Sequence, residues 1–307
     1  MTGQAVQAGQ LTASVLGTAT ALHVVHVSAC PDSGPACAAG GVPPYLHDQW
    51  IEVAELRPVL EWGLTPNASV EAQLPVRAVR SSITYRQLDG TPFTPPDPTL
   101  HHRNETLAGP GDGWLSARGA LMAGPVRVGG RVGTTLPFGR TEENPFALGE
   151  AGLQHQHVQF GTGTFNPLLG ADATWSAGAL GVRGYGQFQW VPWANAQGYQ
   201  AGNRLAGGAL AEWSVAPALQ LSAGADVLHE APERWDGVVQ QDGNLGRTDV
   251  LVGAGAVLEV DAGRFGLNAR VPVYQHYVGG EDHGGQLTYP VVVQLSWTRG
   301  FDVRAGQ

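Results

Sequence analysis

Hydrophobic and polar residues alternate with a period of two along most of this chain. In residues 50–63, for example, Glu55 and Glu61 occupy odd-numbered positions, whereas Leu56 and Leu60 occupy even-numbered ones. The two sets therefore face opposite ways in an extended strand. The same alternation recurs in residues 11–28, 50–63, 68–85, 113–121, 125–137, 167–175, 179–191, 200–214, 218–229, 247–260, 264–276 and 285–300. These segments predict twelve β-strands of about 9 to 18 residues, long enough to cross a bilayer at a tilt.

The connections between these segments are short and long in turn. Tight turns are predicted at residues 65–67, 123–124, 176–178, 216–217 and 261–263, whereas long segments rich in Pro, Gly, Asp and His are predicted at residues 29–49, 86–112, 138–166, 192–199, 230–246 and 277–284. This rhythm is typical of an outer-membrane barrel with short periplasmic turns and long external loops. The predicted fold is therefore all-β, a twelve-stranded antiparallel transmembrane β-barrel. Residues 11–300 form the barrel, residues 1–10 an N-terminal periplasmic extension, and residues 301–307 a C-terminal periplasmic tail.

A soluble β-sandwich or a propeller is the rival interpretation. Strands of soluble sheets average about 5–6 residues, and a propeller carries blade repeats at a fixed period. The chain shows longer alternating segments and no such repeat, so the membrane barrel is favoured.

Composition and charge narrow the location and the partners. The 307 residues include 44 Gly, and the formal net charge is −9, which argues against a nucleic-acid surface. No run of 18 apolar residues is present, so no transmembrane helix is predicted. We expect a bacterial outer-membrane location, with the signal peptide already removed, the lipid bilayer and lipopolysaccharide as surroundings, and no protein partner.

The polar faces of the strands carry many charges. Arg on the lipid face at mid-bilayer costs roughly 2–4 kcal/mol, so we expect these charges to point into the lumen. The predicted lumen-lining residues are Glu55, Arg57, Glu61, Glu71, Arg77, Arg118, Arg127, Arg131, Arg183, Arg204, Glu212 and Arg270. They either line a conduit that selects solutes by charge or form Arg–carboxylate pairs that fill the interior, and a mixture of paired charges around a narrow path fits a twelve-stranded barrel best.

Aromatic residues lie near the predicted strand ends, where lipid-facing barrels carry interfacial girdles. The predicted girdle comprises Trp50, Trp62, Tyr85, Trp114, Trp175, Trp190, Trp193, Trp213, Tyr277, Tyr289 and Trp297.

The histidines and cysteines lie in the half of the predicted barrel that carries the long external loops. All ten His lie in the long segments or the strand halves beside them, and imidazole binds Zn, Cu or Ni. His101, His102, His155 and His157 are the metal-ligand candidates, the alternative being histidines tolerated in polar loops. Cys30 and Cys37 lie in a segment of turn-forming residues, a spacing that suits a disulfide in an oxidising compartment.

Catalytic motifs are missing from the sequence. It contains no G-x-S-x-G, no H-E-x-x-H and no phosphate-binding loop, and its Gly-rich GVRGYGQF is followed by no predicted helix. We therefore predict neither an enzyme nor a cofactor.

Two segments resemble a known family. HHRNETLAGPGDGWL at residues 101–115 and FGTGTFNPLLGADATW at residues 160–175 are similar to segments of the outer-membrane transporter family named for phenol degradation, of the MetA-pathway type. The matching residues are Gly111, Asp112, Gly161, Thr162, Gly163, Thr164, Phe165, Asn166 and Pro167. The resemblance implies a barrel that passes small molecules, aromatic or hydrophobic ones among them, and it brings no catalytic residues.

The Gly/Thr run before Pro167 is a candidate for an inward loop that narrows the channel mouth. Thr162, Thr164 and Phe165 are the candidates for this constriction, and an ordinary junction between loop and strand is the alternative.

The predicted function is that of an outer-membrane, porin-like channel for passive uptake of small molecules. Two alternatives stay open: an outer-membrane metal-binding protein that uses the histidine-rich external loops, and a structural barrel with a plugged lumen.

Overall fold

The computed structural model describes residues 7–28, 44–95, 103–240, 243–277 and 287–303. In chain order the strands are β1 (Gln10–Ser28), β2 (Tyr45–Thr65), β3 (Ala68–Gln73), β4 (Val76–Gln87), β5 (Glu105–Pro110), β6 (Gly113–Ala123), β7 (Val126–Leu136), β8 (Pro167–Ala177), β9 (Leu180–Gln189), β10 (Tyr199–Gln200), β11 (Arg204–Ala216), β12 (Leu219–Glu230), β13 (Arg234–Trp235), β14 (Arg247–Val260), β15 (Gly263–Tyr277) and β16 (Val292–Asp302). Helix α1 (Pro145–Glu150) lies between β7 and β8. No helix among the described residues is both long and apolar enough to span a membrane.

The main sheet closes on itself. Its fourteen strands pair in the order β1-β16-β15-β14-β12-β11-β9-β8-β7-β6-β3-β2-β4-β5, and β1 pairs with β2 as well as with β16. All of these pairings are antiparallel; at the seam, Val15 lies opposite both Trp297 and Pro58. Strands β3 and β4 are two halves of one barrel strand, and so are β5 and β6, which makes twelve barrel strands. The predicted fold class is confirmed.

The two ends of the barrel differ as the sequence predicts. Turns at residues 66–67, 124–125, 178–179, 217–218 and 261–262 form one end, which we call the turn end. The longer connections lie at the other, the loop end. β10 and β13 pair there as a separate two-stranded sheet.

The outer face of the barrel is apolar. Along β2, exposure alternates: Leu56, Leu60 and Trp62 are 52–55% exposed, whereas the side chains of Glu55 and Arg57 are 13% and 23% exposed. The outward set matches the apolar band that barrels present to lipid.

Three of the aromatic residues expected in the girdle face the interior instead. The Arg57 guanidinium lies 5.1 Å from the centre of the Trp114 ring, the Tyr85 ring packs against the buried His47, and the Tyr289 hydroxyl donates to buried Asp249. The girdle prediction is wrong for these three because position near a strand end does not fix which face a side chain takes.

Some element boundaries also differ from the prediction. β5 lies inside the predicted loop 86–112, β2 begins five residues earlier than its alternating segment, and β16 begins later than predicted. Helix α1 lies inside the predicted loop 138–166, where Asn144 caps its first turn by accepting from the main-chain N–H groups of Phe146 and Ala147.

Candidate functional site

Ion pairs join nearby strands on the inner face of the barrel near the turn end. Glu71 is 3% exposed; its Oε2 lies 2.9 Å from Nη2 of Arg131 and 3.5 Å from Nη1 of Arg118. Arg118 Nη1 also lies 3.1 Å from Oε2 of Glu61. These four side chains neutralise one another inside the barrel, as the pairing interpretation of the predicted lumen charges requires.

The other predicted lumen residues also have charged partners. The pairs are Glu55 with Arg57 and Arg77, Arg127 with Asp172, Arg183 with Glu212, Arg270 with Asp226, and Arg204 with Glu230. Arg204 differs in position, because it begins β11 at the loop end and its side chain is 49% exposed.

Other inward side chains are also buried. Leu168, Leu251, Ser116 and Asp226 come from four different strands and are 0%, 2%, 4% and 4% exposed. A wide aqueous path against these positions would expose them to water, so other parts of the protein cover the inner wall there.

Toward the loop end, one part of the inner wall is apolar. Val24 of β1 and Val79 and Ile83 of β4 are 6–9% exposed. Further apolar side chains share their inward alternation: Leu22, Ile51, Val53 and Leu107. This apolar inner wall spans β1, β2, β4 and β5, and it includes one inward polar pair, in which Gln49 Nε2 donates to the Ser81 hydroxyl over 2.9 Å.

The barrel wall is interrupted beside β5. Gly113, the first residue of β6, pairs with Leu136, the last residue of β7, so β7 ends at the level of the break between β5 and β6. Among the described residues, β5 pairs with β4 alone, and its second edge has no strand beside it. We call this interruption the wall gap, and the connection of residues 137–166 that lies beside it the covering loop.

The covering loop contacts β5 at several points. Gln156 Nε2 donates to Glu105, and Arg103 Nη1 donates to the main-chain oxygen of His155 over 3.1 Å. Phe160, 4% exposed, packs so close to Gly109 that a Cβ there would lie 3.7 Å from its ring. The Phe160 ring therefore occupies the inner side of the wall gap.

A buried polar cluster anchors the covering loop at the break between β5 and β6. Asp112 Oδ2 accepts from the main-chain N–H and the hydroxyl of Thr162, both at 2.7 Å, and its Oδ1 accepts from the Gly139 N–H at 3.1 Å. Asn166 Nδ2 donates to the hydroxyls of Thr162 and Thr135 at 2.8 and 3.0 Å. The two segments that carry the family resemblance thus meet here.

The candidate constriction residues belong to this region in different ways. Thr162 and Thr164 are 6% and 8% exposed, and their hydroxyls bond to other members of the cluster. Phe165 is 56% exposed, as are Phe138 at 58% and Leu169 at 54%. These three exposed apolar side chains lie where β7 ends and β8 begins, beside the wall gap.

The loop end carries a small core of its own. Val191, Tyr199, Ala201 and Trp235 pack together, with Phe146 of α1 against them. Burial raises the pKa of the adjacent Glu233 carboxyl above its ordinary value, and the charge of Glu230 adds to the rise. Phe146 belongs to the covering loop, so this core also contacts that loop.

Of the six metal-ligand and disulfide candidates, only His155 and His157 lie among the described residues. His155 is 6% exposed with Nδ1 2.9 Å from the Leu153 oxygen, and its ring centre lies 5.2 Å from that of His157. The other candidates, His101, His102, Cys30 and Cys37, lie outside the described residues. Within the described ranges no three His, Cys, Asp or Glu side chains come together as a metal site. The metal site and the disulfide stay predictions.

The wall gap has only weak signals in the sequence. Pro75 sits at the break between β3 and β4, and Pro110 and Gly111 at the break between β5 and β6. Pro and Gly mark strand interruptions, but they do not show which neighbouring strand is missing. Which strand is missing beside β5 depends on where β7 ends, and this is set by the pairing of β7 with segments distant in the sequence.

Comparison with known proteins supports the fold. No known protein family and no curated protein matches the chain by sequence. Among solved structures, the chain is similar to the COG4313 outer membrane channel from Pseudomonas putida F1, at 15% identity over 98% of this chain and 99% of that one, with a TM-score of 0.62. It also aligns with the P. putida toluene transporter TodX at 8% identity over 95% and 90% of the two chains (TM-score 0.44), and with the Ralstonia pickettii toluene transporter TbuX at 10% over 97% and 92% (TM-score 0.42). The chain thus shares its twelve-stranded barrel architecture with an outer-membrane channel.

Proposed function

We propose that this protein is a channel of the bacterial outer membrane that passes small hydrophobic molecules, aromatic ones included, by passive diffusion. The solute enters at the loop end, follows the apolar inner wall and leaves sideways through the wall gap. The observation that carries the proposal is the second edge of β5, which faces the covering loop in place of a strand.

The interior chemistry favours the sideways route over an axial one. A solute moving along the axis would have to pass an inner face that carries ion pairs such as Glu71–Arg131, and an apolar solute there would replace water or polar groups around buried charges, which is costly. An apolar solute that leaves beside β5 stays instead between the apolar inner wall and the apolar outer band. We therefore favour hydrophobic solutes over sugars or ions.

The assignment to the phenol-degradation family and the solute class are part of the same proposal. Support comes from the two resembling segments, which meet at the wall gap, and from the apolar inner wall beside them. In this proposal the outer band contacts the bilayer and lipopolysaccharide, and the protein needs neither a cofactor nor a protein partner.

Uptake of naphthalene by intact cells tests the proposal, because lipopolysaccharide slows hydrophobic solutes in a Gram-negative host that lacks this protein. We expect expression to raise naphthalene uptake several-fold and to leave arabinose uptake unchanged. The Ala108→Trp variant places an indole on the exposed face of β5, beside the wall gap, and should reduce the gain by at least half.

Ala173→Trp is the matched control. Ala173 is also exposed, but β8 has a paired strand on each side of it, opposite Val128 and Gly184. Equal losses in both variants would contradict the sideways route, and no gain from the parent protein would contradict the channel itself.

A further inference from the structure

We infer that Asp112 is a positioning residue that holds the covering loop in the wall gap and so limits how often the sideways passage opens. The inference rests on the proposed function, and it assigns a role to a residue that contacts no solute. It derives from the hydrogen bonds at the break between β5 and β6.

Asp112 joins three segments that lie just beyond the last strand pairs of β6 with β7 and of β7 with β8. Its two oxygens accept from Gly139 at the start of the covering loop and from Thr162 near its end. One residue before it, the Gly111 N–H donates to the Pro75 oxygen at 2.8 Å, which ties the break between β5 and β6 to the break between β3 and β4. A single carboxylate thus fixes both ends of the covering loop to the interrupted wall.

Glycines allow the close approach that these bonds need. A Cβ on Gly161 would overlap the Asp112 carboxylate, and a Cβ on Gly139 would overlap the main chain of Gly161. The Phe160 and Gly161 N–H groups both donate to the Arg140 oxygen, so the two ends of the loop move as one unit. Phe160, the side chain that fills the wall gap, belongs to this unit.

The bonds of Asp112 are well suited to a latch. Asp112 is 8% exposed, and none of the ion pairs formed by the described residues includes it. Its carboxylate is held by neutral donors, two of them main-chain N–H groups, and bonds to an ionised acceptor are roughly twice as strong as neutral ones. Removing the charge weakens three bonds at once and breaks none of the arginine–carboxylate pairs described above.

Movement of the covering loop relative to β5 can be measured by double electron–electron resonance. The spin labels are attached at Thr106→Cys and Arg140→Cys, in a Cys30→Ser/Cys37→Ser background. Thr106 is exposed on β5, and the Arg140 side chain is 57% exposed next to Gly139. We expect one narrow distance in the parent and a clearly broadened distribution in Asp112→Asn. Naphthalene uptake should rise at least threefold in the same variant.

Two further variants separate a latch from general damage. Thr162→Val removes one donor to Asp112 and should give a smaller change in the same direction. Asp249→Asn weakens another buried carboxylate, which is 2% exposed and bonds Arg247 and Tyr289, and should leave the label distance unchanged. Heat-modifiable migration in gels checks that each variant keeps its barrel.

The outcomes distinguish the inference from the proposed function. If Asp112→Asn folds and its distance distribution is unchanged, the latch is overturned. It is also overturned if the parent transports naphthalene and Asp112→Asn shows a broadened distribution but no faster uptake. If Asp112→Asn fails to fold, an unchanged distance and unchanged uptake in Thr162→Val overturn it instead. A broadened distribution in a protein that never transports naphthalene supports the latch while contradicting the proposed function.

Discussion

Carboxylates on the two faces of this barrel differ in how strongly they depend on their arginine partners. Glu71 points inward and is shared by Arg118 and Arg131, whose side chains are 18% and 8% exposed. Removing its charge takes away the carboxylate paired with the buried Arg131 guanidinium, and removing one partner of a buried ion pair costs about 3–5 kcal/mol. We expect Glu71→Gln to lower the free energy of unfolding by an amount of this size, measured by urea titration in detergent micelles.

Glu52→Gln provides the comparison, because Glu52 also faces an arginine across neighbouring strands. Glu52 and Arg80 are 58% and 65% exposed on the outer face and their charged atoms lie 3.7 Å apart, so removing the Glu52 charge leaves no buried guanidinium behind and should cost less than Glu71→Gln. Similar losses in both variants would contradict the burial of the interior pair.

The Glu233 carboxyl makes the stability of the small core at the loop end depend on pH. Because burial raises its pKa in the folded protein, the folded state binds more protons than the unfolded state between the ordinary and the raised pKa. The small core around Trp235 should therefore become more stable as the pH falls through this window and less stable at neutral pH. Hydrogen exchange of residues 231–240, corrected for intrinsic rates, should slow as the pH falls.

The Glu233→Gln variant should abolish that trend. A neutral amide keeps an oxygen that can accept from the Trp235 indole and the Asn244 N–H, as Glu233 does at 3.3 and 3.4 Å. Exchange protection at neutral pH should then match that of the parent at low pH. A pH dependence that persists in this variant would assign the effect to another group.

At the level of single strands, the two faces of the barrel accept different side-chain volumes. A Cβ on Gly133, which faces inward on β7, would overlap the main-chain oxygen of Leu115, whereas a Cβ on Gly186, which faces outward on β9, would meet nothing within 4 Å. We expect Gly133→Ala to destabilise the barrel by about 1–3 kcal/mol through overpacking. Gly186→Ala should be neutral or stabilising by up to about 1 kcal/mol, because Gly is costly inside a strand. Urea midpoints of the two variants measure the difference, and equal effects would contradict the close packing of β7 on β6.

Sequence alternation predicts the strands well and their interruptions poorly. A run such as residues 125–137 can be recognised locally, because inward and outward side chains differ in polarity at each step, and the structure has β7 there. The covering loop is different, because its place depends on Asp112 meeting Thr162 fifty residues later. The sequence marks both segments through their family resemblance, but neither segment alone shows that they touch or that β5 lacks a second partner.

For the molecule as a whole, polarity divides the interior into two regions. Ion pairs between nearby strands line the inner face toward the turn end, and apolar side chains line part of the wall toward the loop end, beside the wall gap. In the proposed function, the first region opposes passage along the axis and the second favours apolar solutes.

A charge-neutral double variant tests whether these regions act separately. Glu71→Ala with Arg131→Ala removes both members of a pair 2.9 Å apart, so no net charge is left behind by the change. If the packed ion pairs close the axis, the parent should show little ion conductance in a planar bilayer and the double variant should show discrete openings. Naphthalene uptake should stay at the parental level, because the sideways route does not cross this layer. A rise of both quantities together would indicate that hydrophobic solutes take the axial path, and large conductance in the parent would show that the ion pairs leave the axis open.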